Sequence, residues 1–316
     1  MNLLVTGAAG FIGSNMVQYL LENTDHVIYG IDNFRAGERN KEFLKSLAGE
    51  RFIFIDDDFS RIEDIFNQIP LDIVYHFAAT PRISYSVEYP LETNHNNITN
   101  TLILLEFCRK NSVKRFVFSS SSSVYGDALD FPTGEKSQKS PNSPYALQKS
   151  VIEDYCKIYS SLYGLDTVCL RYFSVYGPRQ YPENSYSTVV CSWLCGFINN
   201  TQIRLDGDGS QSRDFSYVMD VCKANHLVGE MKEKLNGEIF NVACDNSTSL
   251  MEIFEMMKEA TGNCPEINHS PIRKGDMKKT HADISKIRSI GFNPDVSIKE
   301  GISLTYKWYI NHINEK

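Results

Sequence analysis

Two side chains with the chemistry of a proton-transfer site, Tyr145 and Lys149, stand four residues apart. They open a predicted helix, so both project from the same helix face. An ammonium group beside a phenol favours the phenolate and lowers the phenol pKa from its usual value of about 10. The same spacing also occurs on amphipathic helices without any catalytic role, so the pair needs a second observation.

A run of serines supplies it. Ser119, Ser120 and Ser121 end a predicted strand some 24 residues before Tyr145. A hydroxyl donor, a phenol that moves a proton and a lysine that tunes the phenol suit the removal of a proton from an alcohol while its hydride leaves. The serine run, Tyr145 and Lys149 therefore predict a site for alcohol oxidation and ketone reduction.

The glycine-rich segment GAAGFIG at 7–13 follows the first predicted strand and opens the first predicted helix. Such glycines let the backbone turn tightly and approach a pyrophosphate, and the helix N-terminus offers oriented N–H groups. The spacing is GxxGxxG rather than GxGxxG. Asp32 ends the second predicted strand, where its carboxylate can bind both hydroxyls of an adenosine ribose and would repel a 2′-phosphate. NAD is therefore predicted over NADP, a preference that Arg35 weakens slightly.

Asp58 and Phe59 come just after the third predicted strand. They could hold an adenine by a polar edge contact and a ring face. The alternative is a surface acid beside a core phenylalanine.

Apolar runs alternate with helical patterns through the first half of the chain. Strands are predicted at 3–5, 26–31, 52–55, 73–77, 115–118 and 167–171, and helices at about 91–110 and 144–163. Continuous apolar strands that alternate with helices are typical of a parallel sheet covered on both faces. We predict an α/β fold: a Rossmann-type doubly wound parallel sheet with a smaller, interleaved C-terminal α/β substrate domain.

The domain boundaries are predicted from a change in amino-acid composition along the chain. Residues 1–175 are predicted to form the NAD-binding domain, with part of 210–245 returning to it through a strand at 238–242. Residues 176–316, where Gly, Asn, Ser and Asp become frequent, are predicted to form most of the substrate domain. Because no linker separates the halves, a ligand is expected in a cleft at the carboxyl ends of the strands.

Composition excludes several classes of function. The 316 residues carry a net charge of −7, which disfavours a binder of the nucleic-acid backbone. The eight cysteines include no CxxC pair, so no metal site is expected. The N-terminus has no basic region before a long apolar run, and no apolar stretch reaches about 18 residues, so neither a signal peptide nor a membrane span is predicted. Reduced thiols then favour a reducing, cytoplasmic location.

Taken together, the motifs resemble those of the extended short-chain dehydrogenases/reductases, in particular the NAD-dependent nucleotide-sugar epimerases and dehydratases. The resemblance covers essentially the whole chain. The segments that carry it are VTGAAGFIGS at 5–14, HFAA at 76–79, the serine run with VYG at 124–126, YALQK at 145–149, RYFSVYGPRQ at 171–180, GDGSQSRDF at 207–215 and RKGD at 273–276.

The resemblance implies roles for individual residues. Ser121, the third serine of the run, joins Tyr145 and Lys149 as the catalytic set. Arg213 and Arg273 bind the diphosphate of a UDP-sugar, and Asp276 lies near the sugar or ribose. The implied cofactor contacts are Gly7, Gly10, Phe11, Ile12, Gly13, Asp32, Asn33, Asp58, Phe59, Phe77, Ala78, Ala79, Asn94, Ser119, Tyr145, Lys149 and Tyr172. Further substrate contacts are implied at Ser84, Ser121, Ser122, Ser174 and Thr280.

The same resemblance favours one of three reactions: dehydration, decarboxylation or epimerisation of the sugar. Sugar-nucleotide 4,6-dehydratases carry an Asp-Glu pair where this chain has Ser122 and Ser123. UDP-glucuronate decarboxylases usually have a glutamate in that segment, and it is absent too. What remains is oxidation at C4, rotation of the 4-keto sugar and reduction from the other face, which needs only serine, tyrosine, lysine and NAD. We therefore expect a UDP-sugar 4-epimerase, with dehydration and decarboxylation as the less favoured alternatives.

Four positions bear on the identity of the sugar. Thr280 matches a position that gates the C2 substituent, where threonine leaves room for an N-acetyl group that a tyrosine would exclude. UDP-GlcNAc and UDP-GalNAc are therefore expected, with UDP-Glc and UDP-Gal also open. Ser174 stands where hexose epimerases usually have asparagine and is more like the uronate 4-epimerases. Those enzymes carry an arginine at the position of Tyr181, so UDP-glucuronate ranks lower, although Arg82 could compensate. The resemblance also implies a homodimer that pairs helices 91–110 and 144–163.

Overall fold

A computed structural model describes residues 1–35, 37–182, 188–272 and 278–312. Within these ranges the strands are β1 (Asn2–Thr6), β2 (Val27–Asp32), β3 (Phe52–Asp56), β4 (Ile73–His76), β5 (Arg115–Ser121), β6 (Thr167–Tyr172), β7 (Val175–Tyr176), β8 (Ile203–Asp206), β9 (Ser212–Asp214), β10 (Ser216–Tyr217), β11 (Glu238–Val242), β12 (Ser247–Ser249) and β13 (Ile267–Ser270).

The helices of the described ranges are α1 (Phe11–Asn23), α2 (Lys41–Leu47), α3 (Ile62–Ile65), α4 (Ile83–Glu88), α5 (Pro90–Asn94), α6 (Asn100–Lys110), α7 (Pro144–Tyr163), α8 (Val189–Asn199), α9 (Val218–Glu230), α10 (Leu250–Thr261), α11 (Ser285–Arg288) and α12 (Ile298–His312). Short 3₁₀ turns occupy Phe59–Arg61 and Ser122–Tyr125, and a π-helical turn occupies His95–Thr99.

The central sheet has seven parallel strands in the order β11-β6-β5-β4-β1-β2-β3. Leu3, Leu4 and Val5 of β1 are fully buried, as expected for a strand covered on both faces. In the parallel register Thr6 lies beside both Ile31 and His76, so the carboxyl ends of these strands meet at one edge. The predicted Rossmann-type α/β fold is confirmed, and the strand predicted at 238–242 lies at the edge of the sheet as β11.

Helix α7 carries Tyr145 and Lys149, and its bounds match the helix predicted at 144–163. The hydroxyl of Ser143 accepts a hydrogen bond from the Ala146 N–H at the first turn, and Pro144 occupies a position where a missing N–H costs nothing. Gly164 ends the helix with a left-handed φ of 73°. Local signals alone therefore determine where this helix begins and ends.

The helix predicted as continuous over 91–110 is divided in the structure. Residues 90–94 form α5, residues 95–99 form the π-helical turn and residues 100–110 form α6. A π turn adds a residue to one turn of helix, and such turns are frequent at functional sites. The π-helical turn contains Asn97, whose side chain forms hydrogen bonds with the loop at Thr80.

The described chain divides into two compact units. The first unit contains 1–126, 139–171 and 222–240, and the second contains 127–138, 172–221 and 241–316. The core of the first unit includes Leu4, Val74 and Phe116, whereas the core of the second includes Trp193 and Phe254. None of the helices that the structure describes combines the length and the apolar character needed to cross a bilayer.

Candidate active site

Ser121 and Tyr145 meet at the carboxyl end of β5. Their side chains share a hydrogen bond, and the backbone N–H of Ser123 donates to the Ser121 hydroxyl over 3.2 Å. The backbone N–H of Tyr145 donates to the Ser86 hydroxyl over 3.1 Å. The predicted serine and tyrosine are therefore brought together in the first unit, with the tyrosine anchored at the first turn of α7.

Lys149 lies one helical turn beyond Tyr145 and is buried. Its Nζ donates to the backbone carbonyl of Ser119 over 2.6 Å. The same Nζ is 4.7 Å from the ring centroid of Phe118 and 5.8 Å from that of Tyr145. The ammonium group thus points along the helix towards the phenol and the end of β5, as the spacing predicts.

The electrostatics differ from the prediction at one point. Burial raises the pKa of Tyr145 to about 12, and the hydrogen bond from Ser121 only partly offsets this. Burial also lowers the pKa of Lys149 to about 8, although its interactions with Cys169 and Glu153 act in the opposite direction. The neighbouring lysine predicts a lowered phenol pKa, and this prediction is wrong. The loss of hydration raises the phenol pKa by more than Lys149 lowers it, because the Lys149 Nζ donates to the Ser119 carbonyl.

The glycine segment forms a tight turn between β1 and α1. Gly7 has a φ of 68°, which favours glycine, and a Cβ there would lie 2.7 Å from the Ala78 nitrogen. A Cβ on Gly13 would lie 2.0 Å from the Gly7 carbonyl oxygen. The N-cap of α1 is Gly10, which has no side chain to cap the helix, so the first-turn N–H groups of Phe11 and Ile12 suit an anionic pyrophosphate.

Asp32 is held at the end of β2 by backbone groups. Its carboxylate accepts hydrogen bonds from the N–H groups of Ala9 over 2.9 Å and Phe34 over 2.7 Å. Burial raises its pKa, whereas these bonds act in the opposite direction. Asn33 donates to Asp58 over 2.7 Å, so the two predicted adenosine contacts adjoin each other. Arg35 pairs with Glu92.

Phe59 is buried in the core, with 6% of its surface exposed. Its ring packs edge-on against His76, with the centroids 5.1 Å apart. The ring face predicted for adenine therefore belongs to the core, which leaves the backbone of Phe59 and the carboxylate of Asp58 for a cofactor contact. Asp58 caps the following turn by accepting from the Ser60 N–H over 2.8 Å.

The loop of Phe77, Ala78 and Ala79 is held by a residue that sequence reasoning missed. Asn97 is 4% exposed. Its carbonyl oxygen accepts from the Thr80 N–H over 2.7 Å, and its amide donates to the Thr80 carbonyl over 3.1 Å and to Gln148 over 2.8 Å. Asn94, predicted as a cofactor contact, is exposed at the end of α5. Asn97 thus links the predicted cofactor loop to the catalytic helix.

The second unit contains several predicted substrate residues. Arg213 lies on β9 and donates to the Ser212 carbonyl over 2.8 Å. Thr280 is 7% exposed and its hydroxyl accepts from the Asp214 N–H over 3.1 Å, so the predicted gate adjoins the predicted arginine. Asp214 is fully buried and accepts from the N–H groups of Cys244 and Ala282, and burial raises its pKa to about 6.

The remaining predicted residues are spread over the two units. Ser84 is exposed on α4, and Ser122 begins the 3₁₀ turn after β5. In the second unit Tyr172 is buried, whereas Ser174 is half-buried and its carbonyl accepts from the Ser216 N–H over 3.2 Å. Arg273 and Asp276 lie outside the described residues.

Residues 3–243 match the family model for the NAD-dependent epimerase/dehydratase family. The chain belongs to this family. Solved structures of similar chains include UDP-sugar 4-epimerases. A UDP-N-acetylglucosamine 4-epimerase from Methanobrevibacter ruminantium M1, in complex with UDP-N-acetylmuramic acid, is 36% identical with a TM-score of 0.91, and the match covers 98% of each chain.

Two further structures are similar over nearly their whole length. A UDP-glucose 4-epimerase from Thermotoga maritima, solved with UDP-glucose, is 34% identical with a TM-score of 0.92, covering 99% of this chain and 100% of that one. A UDP-glucuronic acid 4-epimerase from Bacillus cereus, solved with UDP-glucuronic acid and NAD, is 32% identical with a TM-score of 0.90. The match covers 98% of this chain and 99% of that one.

Membership of the NAD-dependent epimerase/dehydratase family confirms the predictions of an enzyme and of NAD as its cofactor. The residues fit that cofactor, because the close-packed glycine turn and the uncapped start of α1 form a site for pyrophosphate. No group of His, Cys, Asp and Glu in the described ranges could hold a metal ion.

Proposed function

We propose that this family member interconverts the C4 epimers of a UDP-sugar, preferentially UDP-GlcNAc and UDP-GalNAc, through a 4-keto intermediate. The observation that carries the proposal is the half-buried Tyr145, whose phenol shares a hydrogen bond with Ser121 and has Lys149 one turn behind it. Ser122 and Ser123, which follow this set, carry no carboxylate for an elimination. The set therefore suits proton and hydride transfer at one carbon.

Each residue of the set has a distinct task. Tyr145 takes the proton of the sugar 4-hydroxyl and later returns it to the same oxygen. Ser121 holds that oxygen by a hydrogen bond, and Lys149 stabilises the phenolate. NAD, held by the glycine turn and Asp32, would supply the acceptor for the C4 hydride and the donor that returns it to the other face of the 4-keto sugar. Because burial raises the pKa of Tyr145, positive charge near the phenol is needed for it to act as a base.

The cofactor and substrate contacts are assigned by the same reasoning. Gly7, Gly10 and Gly13 approach the pyrophosphate, and Asp32 binds the adenosine ribose. Arg213 suits the UDP diphosphate because a guanidinium binds phosphate oxygens in a bidentate manner. Further proposed contacts are Asn33, Asp58, Phe77, Ala78, Ala79, Asn94, Ser119 and Tyr172 for NAD, and Ser84, Ser122, Ser174, Arg273, Asp276 and Thr280 for the UDP-sugar.

We also propose a homodimer in the cytoplasm. Exposed apolar side chains on α6 and α7 support the dimer: Ile103, Leu147, Ile158, Leu162 and Tyr163. Pairing these helices with their copies would remove that apolar surface from water. All eight cysteines are free thiols, which suits a reducing compartment.

The deciding experiment offers UDP-GlcNAc, UDP-Glc and UDP-GlcA separately to the purified enzyme without added oxidant, and identifies the products by NMR. We expect the C4 epimer of UDP-GlcNAc to form fastest. Ser174 favours UDP-GlcA as the second candidate, so faster turnover of UDP-GlcA would replace the proposed sugar. A 4-keto-6-deoxy sugar or the loss of carbon dioxide would show a different reaction and refute the proposed one.

The sugar preference predicts a specific variant. Thr280→Tyr should suppress turnover of N-acetylated substrates and spare UDP-Glc, because the added ring fills the space that the acetamide needs. The change also removes the hydroxyl that accepts from the Asp214 N–H. Thr280→Val removes that acceptor without the added ring and serves as the control. Equal losses on both substrate types in Thr280→Tyr would show that Thr280 does not adjoin C2.

A further inference from the structure

Glu153 is a carboxylate buried one helical turn beyond Lys149, on the same face of α7. Only 1% of its surface is exposed. Placing an ionised carboxylate in a protein interior is costly unless partners compensate the loss of water. The partners of Glu153 therefore indicate why the helix that carries Tyr145 and Lys149 also retains a buried carboxylate.

Arg171 on β6 compensates the charge. Its Nε donates to one oxygen of Glu153 over 2.8 Å and its Nη2 to the other over 2.7 Å, which makes a bidentate pair. Arg171 is 1% exposed, and its guanidinium carbon lies 4.6 Å from the ring centroid of Tyr125. Lys139 places its Nζ 3.7 Å from the same carboxylate.

Glu153 also forms a hydrogen bond with Ser120 on β5, the strand that ends at Ser121. The Ser120 hydroxyl donates to Glu153 Oε1 over 2.6 Å. Ser120 lies between Ser119, whose carbonyl accepts from Lys149, and Ser121, whose side chain bonds to Tyr145. One hydrogen bond, donated by Ser120 to Glu153, thus holds the residue between the two catalytic contacts of β5.

We propose that Glu153 is a positioning residue for the reaction: through Ser120 it holds the carboxyl end of β5, and its charge favours the Lys149 ammonium. The proposal rests on the proposed epimerase function, because Tyr145, Lys149 and Ser121 define the geometry to be held. Displacement of a reacting group by about 1 Å can cost on the order of 100-fold in rate. A hydrogen bond that fixes the last residues of a strand therefore bears directly on kcat.

The charge of Glu153 acts on Lys149 together with several neighbours. Burial lowers the pKa of Lys149, whereas its interactions with Cys169 on β6 and with Glu153 raise it. Tyr145 on the same helix and His76 on β4 also face the ammonium, and burial keeps His76 neutral by lowering its pKa. Removal of the Glu153 charge should therefore let Lys149 lose its proton at a lower pH.

The test compares two adjacent carboxylates of α7. Glu153→Gln removes the buried charge, and Asp154→Asn makes the same chemical change at an exposed neighbour that pairs with Lys139. For NAD-loaded Glu153→Gln we expect kcat to fall on the order of 10-fold or more with KM within about twofold. The alkaline limb of its pH–kcat profile should move to lower pH. Asp154→Asn should show neither change.

Two further measurements keep the test decisive if Glu153→Gln folds poorly or the substrate proves to be different. Ser120→Ala leaves the Glu153–Arg171 pair intact and removes only the hydrogen bond, so it should lower kcat without moving the alkaline limb. Hydrogen–deuterium exchange over 115–125 should rise in both variants and not in Asp154→Asn, whatever the substrate. Unchanged exchange in Ser120→Ala, or an unchanged kcat per NAD-loaded site in an active Glu153→Gln enzyme, would overturn the proposal. Wild-type protein without activity on any UDP-sugar would instead refute the proposed function.

Discussion

Replacement of Asn97 by alanine should destabilise the first unit. The side chain is 4% exposed and makes three hydrogen bonds, two to the Thr80 backbone and one to Gln148. At about 1 kcal/mol for each lost bond, the free energy of unfolding should fall by roughly 3 kcal/mol. Thr80 is half-buried, so water can replace part of the hydrogen bonding that its backbone loses. Gln148 is 3% exposed, so its carbonyl oxygen would lose the Asn97 donor without replacement by water, while its amide still donates to Thr93.

The measurement is denaturant and thermal unfolding of the wild type, Asn97→Ala, Asn97→Asp and Asn94→Ala. A loss of about 3 kcal/mol corresponds to a fall in Tm of roughly 6–12 °C. Asn97→Asp keeps the side-chain volume but turns a carboxylate towards the Thr80 carbonyl and Gln148, so it should be at least as damaging. Asn94 is exposed, so its replacement should change the free energy of unfolding by less than about 0.5 kcal/mol.

A second measurement connects this change to the site. Thr80 directly follows Phe77, Ala78 and Ala79, the loop that we propose contacts NAD. A loop released from Asn97 should bind NAD more weakly, which calorimetry on the two Asn97 variants would detect. Equal unfolding free energies for Asn97→Ala and Asn94→Ala would refute the argument, since buried and exposed asparagines would then be equivalent.

Two further predictions concern the catalytic base and pH. Tyr145→Phe should lower the single-turnover rate at least about 100-fold and leave UDP-sugar binding intact, because only the acid/base oxygen is lost; a near wild-type rate with NAD in place would exclude the mechanism. Burial raises the pKa of Asp214 to about 6 from 3.8, so its neutral form stabilises the fold at low pH and this contribution is lost as pH rises through 6. Between pH 7 and pH 5 the wild type should therefore gain about 1 kcal/mol of unfolding free energy relative to Asp214→Asn; a constant difference in urea melts would contradict this.

The elements that carry the site could be predicted because their signals are local. Ser143, Pro144 and Gly164 determine the bounds of α7 through capping and backbone geometry. The glycine segment and the apolar runs around it predicted the sheet and NAD, and the family confirms both. Such signals need only a few neighbouring residues, which one sequence displays in full.

Tertiary contacts decided the rest. Asn97 is buried whereas Asn94 is exposed, since a π-helical turn changes which side chains face the loop at Thr80. The pKa of Tyr145 rises because burial removes water from the phenol, a quantity that the Tyr145–Lys149 spacing does not contain.

The sequence alone also determined which residue types lie at the site: a serine run, a tyrosine and a lysine. It did not determine how they are held. Glu153 binds Ser120 and Arg171, which lie 33 and 18 residues away along the chain. Their encounter depends on β5, β6 and α7 packing in one unit, and long-range packing of this kind leaves no periodic or capping signal in the sequence.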